Sequence, residues 1–380
     1  LAGLGPPGAN NLQNYVPVAV PDTITYPGSD YYEIELREFQ HRFHSDLDPT
    51  TLRGYVQTNM GTDASGANTV APAPIMYLGP TIVAERDRPV RVKFTNRLPT
   101  GAAGRLNIPV DTTIMGAGQG PAFADGSPCD NTVPGSQCAE FAQNRAVVHL
   151  HGGRTPWISD GTPFQTIVPD GEQTPYKEGV SLFDVPDMPD PGPGATTYYY
   201  SNQQSARLMF YHDHAWGITR LNVLVGMAAG YLITDEHERA LVSDGVLPAE
   251  QIPLIVQDRT FVDADVIRDS DPTWNWGSGP VDANGVRTPV TGDLWIPHVY
   301  MPAENPYDMS GANPFGRWVY GPWFFPPTDG ITYPPVANPY HDPNCESPDP
   351  DVFATCTAPG QPPLIPATPL PSVGMETFFD

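Results

Sequence analysis

Ala146-Val147-Val148-His149-Leu150-His151-Gly152-Gly153 and Leu208-Met209-Phe210-Tyr211-His212-Asp213-His214 are two copies of one pattern, an apolar run that closes on His-x-His. On a strand, residues i and i+2 point to the same side, with α-carbons roughly 6.5–7 Å apart. Two imidazoles so spaced chelate a single small ion poorly, but they can reach two ions of a cluster lying alongside the strand. Two facing strands of this kind would offer four imidazoles to one multinuclear site, and imidazole suits copper, zinc, iron and nickel. Gly152 and Gly153 leave room for backbone and solvent to come close. An ordinary hydrogen-bonded histidine explains one such pair; two, each closing an apolar strand, point to metal.

Around these motifs the pattern is that of strands. Runs bounded by Gly, Pro, Asn and Asp recur at residues 31–39, 81–85, 90–95, 146–150, 196–201, 207–211, 230–234 and 254–261. Val90-Arg91-Val92-Lys93-Phe94 alternates with the period of two expected of a half-buried strand. Helical periodicity is scarce, and only Glu236 to Val242 reads as a short helix. Many short strands with frequent turn signals predict an all-β sandwich or barrel. From Asp263 to Pro371 the strand signals thin out and Pro, Gly, Asp and Trp dominate, which reads as a long irregular insertion.

Composition narrows the function classes. The 380 residues include 17 Tyr, 15 Phe and 7 Trp, too many aromatics for a disordered chain. With 19 Lys plus Arg against 43 Asp plus Glu, the net charge is −24, which disfavours nucleic acid and anionic membrane surfaces as partners. The most apolar stretch, Leu221 to Ile233, is too short and too interrupted to cross a bilayer. The four cysteines form two local pairs, Cys129 with Cys138 and Cys345 with Cys356, in loop-like surroundings that suit disulfides and hence an oxidising compartment. No Asn-x-Ser/Thr sequon occurs, and the chain opens on Leu1, which fits a removed signal segment as well as a fragment. The expectation is an extracytoplasmic bacterial protein, periplasmic or secreted.

Other His-x-His families fit less well. Thr155 and Pro156 stand where a cupin has its Glu, and Gly152-Gly153-Arg154 breaks the metallo-β-lactamase pattern. No H-E-x-x-H helix, G-x-S-x-G elbow or P-loop occurs. By contrast, His149-Leu150-His151-Gly152-Gly153 and Tyr211-His212-Asp213-His214-Ala215 resemble the first two copper motifs of multicopper oxidases. Residues 37–39 with 44–50 are similar to the N-terminal strand and turn of the branch holding the spore-coat laccase, bilirubin oxidase and phenoxazinone synthase. Gly79-Pro80-Thr81-Ile82 with Val90-Arg91-Val92 resembles the first-domain strand pair, Met227 to His237 the end of domain one, and Ile252 to Arg259 the opening of domain two.

The resemblance implies a cupredoxin-like Greek-key sandwich over residues 1–238. It implies an incomplete second cupredoxin domain over 239–380, consisting of a first strand and the insertion. It implies that His149 binds the type 2 copper and that His151, His212 and His214 bind the type 3 pair, where dioxygen is reduced to water. Asp160, in Ser159-Asp160-Gly161, matches an acidic residue beside the solvent channel and is expected to assist proton delivery. As a turn residue before Gly it has a bland explanation too.

The departures matter as much. Neither H-P-x-H-x-H nor H-C-H-x-x-x-H occurs, and no cysteine is flanked by His, so the thiolate of a type 1 copper site is missing. His298 and His341 are isolated, His41 and His44 read as structural, and His237 as solvated. The reading is therefore a laccase-like oxidase subunit or fragment that supplies half a trinuclear copper site. A companion chain or downstream sequence would supply the rest. Its partners would be dioxygen and a small phenolic, aromatic amine or metal-ion reductant. The alternative is a non-catalytic copper-binding or structural extracellular cupredoxin.

Overall fold

Tyr32, Ile34 and Leu36 on one strand, and Tyr198 and Tyr200 on another, are fully or almost fully buried, and such aromatic and β-branched positions at a spacing of two set up a sheet with one apolar face. The computed structural model describes Leu12 and residues 14–295, apart from 109, 111–115, 119, 121–128, 134–137, 268–275 and 281–286. Two compact units emerge, one of residues 1–106 and 119–256, the other of 107–118 and 257–380.

In the first unit, β1 (Asp30–His41), β2 (Thr50–Gln57), β6 (Val90–Asn96) and β8 (Ala195–Tyr200) form a four-stranded sheet in the order β2-β1-β6-β8. Between β2 and β6 lie the small pair β3 (Gly61–Thr62) and β4 (Asn68–Val70), then β5 (Ile82–Glu85). β5 belongs to a second four-stranded sheet with β7 (Val148–His151), β9 (Arg207–Asp213) and β10 (Ala228–Thr234), ordered β5-β10-β9-β7. β1 runs parallel to β6 and β5 parallel to β10, while the other pairs within these two sheets are antiparallel.

Residues of both sheets share one buried cluster, Tyr32, Phe94 and Tyr198 from the first with Ile82, Leu150, Tyr211 and Tyr231 from the second. The class is all-β and the two-sheet sandwich is cupredoxin-like. Its tyrosines carry polar tips into the core, and each described tip that reaches a partner ties two segments together. Tyr211 Oη donates to the Pro80 carbonyl at 2.6 Å, and Tyr231 Oη to Asn202 Oδ1 at 2.7 Å. Tyr198 Oη accepts the Val148 amide at 3.0 Å, at the start of the first histidine strand.

Several features depart from the sequence expectation, among them the small strands β3 and β4. β2 was not anticipated, because its buried Arg53 hides the strand pattern; that guanidinium donates to the carbonyls of Gln143, Gly104 and Arg105 at 2.8, 2.7 and 3.1 Å. The expected strand at 254–261 is irregular through residue 259, and only Thr260–Phe261 (β11) is a strand. A short helix, α1 (Thr219–Leu224), occupies part of the apolar stretch after the second histidine motif. The expected helix is present as α2 (Glu236–Ser243), where Asp235 caps the N-terminus by accepting the Glu238 amide at 2.7 Å.

In the second unit, β11 pairs antiparallel with β12 (Leu294–Trp295), and Val262, Ile267 and Trp276 form a small cluster. Cys129 and Cys138 are bonded, with α-carbons 5.6 Å apart. Cys345, Cys356, His298, His341 and nearly all of the expected insertion lie outside the described residues.

Candidate metal centre

β7 and β9 pair antiparallel with His149 opposite His212, Leu150 opposite Tyr211 and His151 opposite Phe210. Directly opposed residues share a face, as do residues two apart, so His149, His151, Phe210 and His212 all stand on one side of the sheet. Leu150 and Tyr211, on the other side, are buried in the sandwich. β9 ends at Asp213, and His214 follows with its amide donating to the Val147 carbonyl at 3.3 Å. The register thus converts two short motifs into one cluster.

Ring centroids measure the convergence. His149 lies 5.8, 5.6 and 5.0 Å from His151, His212 and His214, while His212 lies 5.4 and 5.6 Å from His151 and His214. Nitrogens of His149, His151 and His212 fall within 4.8 Å of one another. Burial is graded across the cluster, with His212 buried, His149 and His214 intermediate, and His151 exposed.

Two carbonyls fix ring orientation. His149 Nδ1 is 2.5 Å from the Asp160 carbonyl oxygen, and His212 Nδ1 is 2.6 Å from that of Asp213. A carbonyl only accepts, so each Nδ1 carries the proton and each Nε2 keeps its lone pair for a metal. His151 Nδ1 faces His212 Nε2 at 3.2 Å, and its ring stacks on Phe210 at 4.5 Å with planes 14° apart. Burial pushes the His212 imidazole down to about 3 and lowers His151 as well, with the His149 charge adding to the effect at His151. Both rings are therefore neutral near pH 7, the form that binds metal. A convergent set of neutral imidazole donors fits a borderline transition metal such as copper.

Asp160 reaches the centre mainly through its backbone. Its carbonyl holds His149, while its carboxylate accepts Thr155 Oγ1 at 2.9 Å and lies 3.9 Å from His149 Nδ1. Two contributors escape the sequence reading. Phe210 is the stacking platform under His151, and Asp213 is a fully buried carboxylate between two candidate ligands. Burial pushes the Asp213 carboxyl up to about 6 against the donors around it. A signal existed for Asp213, since the alternation that sends His212 and His214 outward sends the residue between them into the core.

Curated relatives match part of the chain. The laccase of Bacillus subtilis is 34% identical over 235 residues, 61% of this chain and 34% of its own length. A multicopper oxidase of Oryza sativa subsp. japonica is 30% identical over 208 residues, 55% of this chain and 27% of its own. The matched part of the chain is similar to multicopper oxidases. No family model matches the chain. The solved multicopper oxidase of Aquifex aeolicus aligns at 18% identity over 75% of this chain and 38% of its own, with a TM-score of 0.36. The chain spans about a third of the length of the laccase it matches. Among the described residues, no helix is long and apolar enough to cross a membrane.

Proposed function

We propose that this chain supplies half of the trinuclear copper site of a laccase-like multicopper oxidase. One observation carries the reading, namely that four imidazoles from two His-x-His pairs converge, three on one sheet face and His214 just past the end of β9. In this reading His149 holds the type 2 copper, and His151, His212 and His214 hold the type 3 pair. The bound copper would supply reversible one-electron chemistry, coupling oxidation of a small reductant to four-electron reduction of dioxygen to water.

The chain's own residues have definite tasks. The carbonyls of Asp160 and Asp213 hold the Nδ1 protons of His149 and His212 and aim the Nε2 lone pairs. Phe210 keeps the exposed His151 ring from swinging into solvent. The Asp160 carboxylate, partly exposed and beside His149, is placed to hold a proton and pass it inward. Asp160→Asn should then lower kcat for oxygen consumption by roughly 10- to 100-fold and leave KM for the reductant unchanged. A shift in KM alone would contradict that role.

In this reading the further imidazoles and the type 1 thiolate are supplied by a companion chain or by downstream sequence, since no His-flanked cysteine occurs in these 380 residues. Residues 1–238 act as the first cupredoxin domain, and 239–380 begin a second. The Cys129–Cys138 bond supports an extracytoplasmic location. The test is His212→Ala in the assembled oxidase. Oxygen reduction should be lost and copper content should fall, while the blue type 1 absorption stays. Loss of the blue band would show that this chain serves a different copper.

A further inference from the structure

β9 stops at Asp213, yet the second candidate ligand of its pair, His214, lies one residue further on. Past the strand end the His214 amide keeps one backbone tie, to the Val147 carbonyl just ahead of β7 at 3.3 Å, and the Asp213 side chain adds others. The Asp213 side chain points away from the imidazoles into the sandwich and is 0% exposed. Its Oδ1 accepts the Val147 amide at 2.9 Å. Its Oδ2 accepts the Ala215 amide at 2.9 Å and Asn222 Nδ2 at 2.8 Å.

Each donor lies on a different piece of the centre. Val147 immediately precedes β7, and its carbonyl takes the His214 amide, so the two peptide groups flanking one residue are both held by the second motif. Ala215 follows His214. Asn222 is a fully buried residue of α1 whose carbonyl receives the Met227 amide, which leads into β10. We infer that Asp213 is a positioning residue for the metal centre, its carboxylate reinforcing the single backbone tie left where β9 ends and locking both His-x-His pairs into one register.

The chemistry demands a carboxylate, because three N–H donors converge on two oxygens. An Asn there offers one acceptor and one donor. It must either abandon Val147 or turn its own N–H toward Ala215 and Asn222. This inference rests on the copper reading but is separable from it.

The test is a Cu(II) titration of the full metal-free chain against a competing chelator, with the EPR spectrum of the bound ion as second readout. Four proteins are compared: unaltered, Asp213→Asn, Asn222→Ala and Asp184→Asn. Asp184 is the structural control, since its carboxylate gathers Thr196 Oγ1 and the Thr197 amide and hydroxyl in the other sheet. Asp213→Asn should keep its far-UV circular dichroism, weaken Cu(II) binding by about 10-fold or more, and change the nitrogen hyperfine pattern. Asn222→Ala should move both in the same direction by less, and it decides the matter if Asp213→Asn fails to fold. Asp184→Asn should lose stability and leave both readouts where they were. Unaltered copper binding in a folded Asp213→Asn chain, or in Asn222→Ala where that chain does not fold, overturns the inference while leaving the copper reading intact. An unaltered chain that takes up no copper overturns both.

Discussion

His41 closes β1 with its ring 4.6 Å from Phe43 and 5.1 Å from Tyr77. Burial among these rings pushes its imidazole down to about 4. In the unfolded chain the same group titrates near 6.5. Between those values the unfolded chain holds the extra proton, so stability rises with pH across the window and is lost as pH falls through it. The contribution is up to about 3 kcal/mol. His41→Phe should flatten that part of the curve, read as the difference in urea unfolding between pH 4.5 and pH 7 for metal-free chains. Equal slopes in both proteins would dismiss the effect. Gly161 is a second sensitive position, with φ at +72° and no room for a side chain, since a β-carbon would sit 2.0 Å from the Val148 carbonyl oxygen and 2.8 Å from the His149 α-carbon. These obstacles are backbone and cannot swing aside. Gly161→Ala should destabilise by about 2–4 kcal/mol and weaken copper uptake by drawing the Asp160 carbonyl off His149. Calorimetry and chelator competition on one preparation check both.

At the scale of elements, the centre is a property of β7 and β9 as a pair. Seven of the eight strands of the two four-stranded sheets are legible in the sequence, β6 most cleanly, whose Val90, Val92 and Phe94 are buried. β2 was hidden by a buried cation satisfied by carbonyls, and α1 by an apolar stretch with no strand or helix period. Segment 254–259 shows the opposite error. Leu254 and Val256 are 74% and 92% exposed, so apolar composition there does not translate into a sheet position. The four histidines were legible because spacing alone fixes a face; the same alternation marks Asp213 as inward-facing, but its partners across the register, like the stacking of Phe210 on His151, lie outside a single motif. The loop bearing Cys129 and Cys138 is crosslinked, and Asn131 pins it by donating to the Cys138 carbonyl at 3.1 Å and accepting the Cys138 amide at 2.7 Å. Mass spectrometry of alkylated, unreduced protein should find these two thiols blocked from reagent. Alkylation of both would refute the bond and the compartment drawn from it.

At the scale of the whole chain, the −24 charge of these 380 residues would, in the proposed oxidase, favour cationic reductants at low salt. KM for a cationic reductant should rise as ionic strength increases, and KM for an anionic one should fall, as screening shortens the field's reach to about 8 Å at 0.15 M. Steady-state oxygen uptake with one reductant of each sign tests this, and identical salt responses would rule it out. The pairing of β5 with β10 has a different consequence, one of timing. Ile82 meets Tyr231, a residue far along the chain of the first unit. Contacts so distant along the chain make folding slow and leave early segments waiting for late ones. During synthesis, the β5-β10-β9-β7 sheet has no complete interior until the ribosome has delivered β10. The imidazoles of β7 are made long before those of β9 and spend that interval without their partners. Metal offered too soon would meet a flexible half-set of ligands, so loading belongs after the sheet has closed.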